Sequence, residues 1–265
     1  MLSNEQYQHF QTFGFIVLRQ FFTLDEVSTL RAEFEKGLDL AYRHRPFDGS
    51  ERHWVSQMGP DTPFYAHLLE DQRFWSITAQ LYGEDAFATG TDANRYVGDT
   101  GWHPDHHADP KKDCYGVKYA FYLDPVGPNT CSLRLIPGSH RNPLHEDLRE
   151  NLKSMNLGIE EIPSYICTCE PVDVVAFDMR CWHASSGGSE GRRMSTCCYY
   201  KNPETTEEEE AARKRAAGSR DAPAQYHRPD DPLFHPDWVA NPRNSALRRG
   251  WIDRLKELEF LESTT

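Results

Sequence analysis

The chain has no apolar run near the length of a bilayer span, no Cys-x-x-Cys pair and no excess of basic residues. The first absence excludes a helical membrane anchor, which needs about 20 consecutive apolar residues. Lys and Arg number 29 against 41 Asp and Glu, a formal net charge of −12. That balance argues against nucleic acid as a partner, because backbone phosphates would be repelled. The seven cysteines are odd in number and lack zinc-type spacing, so they read as reduced structural thiols rather than disulfides or a zinc site. No charged-then-apolar leader opens the sequence, and the expected location is the cytoplasm.

What is present suits a soluble globular protein: 265 residues, 38% hydrophobic and 12% aromatic. We expect one domain over 1–265, with a mainly helical part at 1–85, a β core at 86–200, and loops with a helix at 201–265. Ser3 or Asn4 can cap a first helix, and Thr23 to Glu26 resembles a capping segment ahead of Val27, Leu30, Phe34 and Leu38. Short β-type runs separated by Gly, Pro and Asn turns suggest a sandwich or roll, mostly β with flanking helices. Glu207 to Glu210 followed by Arg213, Lys214 and Arg215 suits a solvated helix. The stretch 218–242 reads as irregular and 248–261 as a closing helix.

His103-Pro104-Asp105, with Trp182-His183 far downstream, carries the chemistry. Two imidazoles and a carboxylate can bind one face of a ferrous iron, leaving three positions open. In an extended strand His103 and Asp105 share a face, so the third ligand must come from another strand. His183 follows the apolar run Val172 to Phe177, and a Gly-rich stretch, Ala184 to Ser189, leads to a second run, Arg192 to Tyr200. A hairpin is expected to bring the two runs together, with one arginine facing the iron cavity, where its fork could grip a carboxylate. His107-x-Asp109 offers the same ligand register as His103-x-Asp105.

These residues resemble the phytanoyl-CoA dioxygenase family of iron(II)- and 2-oxoglutarate-dependent oxygenases. The likeness spans nearly all of 1–200: Phe13 to Leu18, Gly101 to Asp105, Tyr119 to Pro125, the Pro137-Gly138-Ser139-His140 turn, and Val172 to Asp178 leading into His183. It implies a double-stranded β-helix, a cupin-like jelly roll, with iron at its mouth. The implied ligands are His103, Asp105 and His183. The implied chemistry uses Fe(II), 2-oxoglutarate and O2, releases succinate and CO2, and most often hydroxylates a C–H bond. Asp105 stands where halogenating relatives carry a small residue, so hydroxylation is expected over halogenation.

Arg192 and Arg193 alternate faces, so one of them reaches the co-substrate. Arg193 is the expected clamp, because Ser195 shares its face and an Arg-x-Ser pair recurs in related oxygenases; Ser185 is a second contact implied by the resemblance. For the substrate, His106, Arg95, Lys118 and Trp54 are candidates, and the cations among them, with Arg52, would suit a small anionic metabolite such as an amino acid, acyl thioester or phosphonate. The segments 43–65 and 200–242 could cover the mouth. Two rival readings use the same roll: a divalent-metal hydrolase or isomerase, and a non-catalytic binding protein. The first would not need the arginine, and the second would be expected to lack a ligand.

Overall fold

The computed structural model describes residues 1–188, 191–220, 222–242 and 245–262; Ser189, the end of the Gly-rich stretch, lies outside them, as does 263–265. In chain order the strands are β1 (Phe15–Leu18), β2 (His53–Ser56), β3 (Phe87–Tyr96), β4 (Thr100–His103), β5 (Gly116–Tyr122), β6 (Leu133–Leu135), β7 (Tyr165–Ile166), β8 (Val174–Asp178), β9 (His183–Ser185) and β10 (Arg192–Tyr200). They form a six-stranded antiparallel sheet, β1-β8-β5-β10-β3-β2, facing a four-stranded one, β4-β9-β6-β7.

Helices α1 (Asn4–Phe13), α2 (Leu24–Ala41), α3 (Pro63–Leu68) and α4 (Gln72–Tyr82) dominate the N-terminal part. Ser3 and Thr23 both close capping boxes, with Gln6 and Glu26 as the reciprocal partners, so local chemistry sets where α1 and α2 begin. Val27, Leu30, Phe34 and Leu38 of α2 are all buried, as their spacing predicts. They join one apolar cluster with Cys197 and Tyr199 of β10, which places the helices against the outer face of the large sheet. Complete burial of Leu30 and Phe34 contributes about 1.5–3 kcal/mol each. A second cluster, with Tyr122, Leu135, Val175, Phe177 and Met194, fills the space between the sheets.

Three sequence-based expectations change. The apolar strand begins at Val174 rather than Val172, because the Asp173 carboxylate accepts from Gln20 N at 2.9 Å and from Arg19 Nη1 at 2.7 Å. The expected hairpin between this strand and β10 does not form, since β5 lies between them and His183 opens β9 in the other sheet. Within 218–242, Pro236–Ala240 forms a short helix, α7. The C-terminal part also carries α6 (Thr206–Ser219) and α8 (Ala246–Glu257), after α5 (Leu144–Asn151).

Candidate active site

β4 and β9 pair so that His103 stands opposite His183, with ring centroids 4.3 Å apart. The chain leaves β4 at Pro104, and the Asp105 and His106 amides both donate to Met179 O, at 3.0 and 3.1 Å. Asp105 is thereby tied to the end of β8. His183 is placed by its neighbour: Trp182 N donates to Ser139 Oγ at 2.8 Å, so the Pro-Gly-Ser-His turn anchors the start of β9. Asp105 Oδ2 lies 3.9 Å from His183 Nε2, and the ligand-type atoms of His103, Asp105 and His183 fall within 4.8 Å of one another.

Second contacts orient both rings. His103 Nδ1 donates to Gly101 O at 2.8 Å and His183 Nδ1 to Cys181 O at 2.9 Å, which leaves both Nε2 atoms as acceptors. A backbone carbonyl on one ring nitrogen is the usual way a metal-binding tautomer is set. Burial lowers the His183 pKa to about 4, so the imidazole is neutral at neutral pH. Burial opposes ionisation of Asp105, but the ammonium of Lys118, 2.6 Å from Oδ2, holds its carboxyl far below the ordinary range.

The other register, His107-x-Asp109, does not join this cluster. His107 Nε2 lies 3.1 Å from Glu146 Oε1, and its Nδ1 accepts from Asp109 N at 2.9 Å.

The two arginines separate on opposite faces of β10. Arg193 faces the helices: its Nε donates to Asp124 Oδ2 at 2.8 Å and its Nη1 to Glu35 Oε1 at 3.0 Å. Ser195 is on the same outer face, its hydroxyl 2.8 Å from that of Tyr65. The choice of Arg193 and Ser195 as co-substrate contacts is therefore corrected: neither faces the metal cluster. Arg192 is the residue between the sheets. It is buried, donates to Cys131 O, and sets Nη2 3.4 Å from Ser185 Oγ, two residues after His183. Its guanidinium lies 4.4 Å from the Tyr96 ring centroid. No carboxylate pairs with it among the described residues, and its Nε has no hydrogen-bond partner.

Of the substrate candidates, Arg95 also faces outward, where it pairs with Glu35 and sits over Phe47. Its register opposite Arg193 forces this. Trp54, Lys118 and His106 all line a cavity of about 540 Å³ that includes Asp105. His106 is buried, and Arg215 of α6 donates to its Nε2 at 2.8 Å and to Asp105 O at 2.8 Å. Burial lowers the His106 pKa. Sequence reasoning missed Arg215 and Asp92, which also line the cavity. Arg215 lay in what read as a solvated charge run, and nothing local marked Asp92.

Two imidazoles and one carboxylate on a two-sheet roll are a donor set that could hold a non-haem iron with coordination positions left open. The chain belongs to the phytanoyl-CoA dioxygenase (PhyH) family, whose sequence profile matches residues 10–195. It is thus an Fe(II)- and 2-oxoglutarate-dependent dioxygenase, with iron as cofactor and 2-oxoglutarate as co-substrate. A similar protein is the ectoine dioxygenase of Stutzerimonas stutzeri (strain A1501), 26% identical over 221 residues, 70% of this chain and 72% of that one. The fold matches HygX from Streptomyces hygroscopicus, solved with nickel and 2-oxoglutarate, at TM-score 0.62 and 21% identity over 78% of this chain and 90% of that one. It also matches EctD from S. alaskensis with bound Fe, at TM-score 0.58 and 23% identity over 75% and 76%. Among the described residues no helix is long and apolar enough to cross a membrane.

Proposed function

We propose that the enzyme hydroxylates a C–H bond of a small polar metabolite, with release of succinate and CO2. His103, Asp105 and His183 hold the iron through two Nε2 atoms and a carboxylate. Arg192, with the Ser185 hydroxyl, takes the far carboxylate of 2-oxoglutarate.

The observation that carries this reading is the Arg192 guanidinium, buried between the sheets without an acid partner among the described residues and with Nε unmatched. A buried, unpaired charge is costly, and an incoming carboxylate satisfies it with charge-assisted hydrogen bonds. A divalent-metal hydrolase on the same roll, which binds no 2-oxoglutarate, has no use for that group. Bound together, iron, 2-oxoglutarate and dioxygen supply the oxidising equivalent for removing a hydrogen from carbon.

The chain's own residues position and shield. Gly101 O and Cys181 O hold the imidazole tautomers, and Lys118 holds Asp105 Oδ2. α6, with the segment after it, roofs the cavity and limits water around the reacting carbon. Asp105 keeps a carboxylate at the position a halide would need, which supports hydroxylation as the outcome. The likeness to ectoine dioxygenases supports a small-molecule substrate.

The test is succinate release in labelled dioxygen across a metabolite panel, with products read by mass spectrometry. One labelled oxygen atom in the product is expected. A chlorinated product in chloride buffer, or one two hydrogens lighter without label, overturns the hydroxylase reading.

A further inference from the structure

The cavity beside the iron cluster is lined by charges that do not all cancel. Lys118 is matched by Asp105 at 2.6 Å, and Arg215 has Asp113 at 3.9 Å. Three others are left over. Asp92 of β3 is half-buried and accepts only from neutral donors, Trp54 Nε1 and Thr196 N, both at 2.9 Å. No cation pairs with it among the described residues. Lys112, in the loop after Asp105, and Lys214, on α6, are exposed at the cavity and have no acid partner among the described residues.

The negative and positive remainders sit on different walls: Asp92 and Trp54 on neighbouring strands of the large sheet, Lys112 and Lys214 on the loop and the roof helix. A half-buried carboxylate held only by neutral donors has lost part of its water and has no counter-charge, so an incoming cation would satisfy it with a charge-assisted hydrogen bond. Exposed ammonium groups at the entrance suit an anionic group that stays partly hydrated. The volume of about 540 Å³ fits a small metabolite rather than a polymer.

We propose that the substrate is a small zwitterion, bound with its cationic nitrogen on Asp92 beside Trp54 and its carboxylate or phosphonate toward Lys112 and Lys214. This rests on the hydroxylase reading for the position of the reacting carbon. Asp92 is then the residue that selects for a cationic group, for which the cations singled out from the sequence, Arg52, Arg95 and Lys118, offer no partner.

Binding is measured by calorimetry under nitrogen on the full chain loaded with iron(II) and 2-oxoglutarate. The probes are ω-amino acids and aminoalkylphosphonates of graded length, with the matching amines, acids and phosphonates that each lack one charge. At least one zwitterion should bind tenfold or more tighter than both of its singly charged counterparts, and comparison of the two acid series identifies which anion is used. Asp92→Asn should erase the preference over the acid or phosphonate. The double variant Lys112→Ala/Lys214→Ala, at exposed positions that do not support the core, should erase the preference over the amine. The charge-transfer band of each variant with iron and 2-oxoglutarate separates lost recognition from lost loading. Singly charged probes that bind as tightly as every zwitterion, or a preference that survives Asp92→Asn, overturn the proposal. Zwitterion binding with succinate release in air but no oxygen added to the zwitterion would count against the hydroxylase reading alone.

Discussion

Arg192 and Arg193 are adjacent in sequence and point to opposite sides of the large sheet: Arg192 sets Nη2 3.4 Å from Ser185 Oγ between the sheets, while Arg193 sets Nε 2.8 Å from Asp124 Oδ2 under the helices. The first guanidinium lacks an acid partner among the described residues and the second has two. This difference makes their roles separable by experiment.

Arg192→Ala should weaken 2-oxoglutarate binding by roughly 2–4 kcal/mol, because a buried charge-assisted contact is lost. Arg193→Ala should leave that affinity within about twofold and cost only about 0.5–1 kcal/mol of stability, since its ion pairs are partly exposed and screened. A 2-oxoglutarate titration followed by the metal charge-transfer band, with a urea melt of each variant, checks both. The reverse ranking would return the clamp to Arg193.

Replacing a ligand should remove iron without unfolding the chain. His103→Ala and Asp105→Ala alter residues at the cavity mouth that contribute little to either apolar cluster. Iron content after loading and desalting should fall by about 100-fold or more, while the circular dichroism spectrum and melting midpoint stay close to the parent. Full iron occupancy in either variant would place the metal elsewhere.

Asp178, which ends β8, should contribute to acid stability. It is buried and accepts from Arg180 Nε at 2.8 Å, Arg180 Nη2 at 2.7 Å and Tyr82 Oη at 2.7 Å. Burial opposes its ionisation, but Arg180 wins and its folded pKa lies below the ordinary value. A depressed carboxylate pKa stabilises the fold above the unfolded pKa of about 3.9, and that contribution is lost as pH falls toward the folded value. Asp178→Asn should cost about 3–5 kcal/mol at neutral pH, because Arg180 is left largely buried without its partner. The gap from the parent should narrow as the pH is lowered from neutral to about 3. Urea midpoints across that range decide it, and a constant gap would assign the loss to packing instead.

Much of this protein was legible locally. Ser3 and Thr23 announce their helices through side chains that reach only three residues. The stripe Val27, Leu30, Phe34, Leu38 marks a buried helix face whatever it packs against. The spacing of His103, Asp105 and His183 carried the metal reading, because few other roles call for those residue types in that order. Tertiary structure decided what alternation could not. Both faces of β10 are covered, one by helices and one by the second sheet, so the period of two separates Arg192 from Arg193 without saying which is inside. β5 enters between β8 and β10 from far away in sequence, and β9 leaves for the other sheet, which is why the expected hairpin does not form. Asp92 and Arg215 acquired their places only when β3 and α6 met across the cavity, for a charge has no partner, or lack of one, until the chain has closed around it.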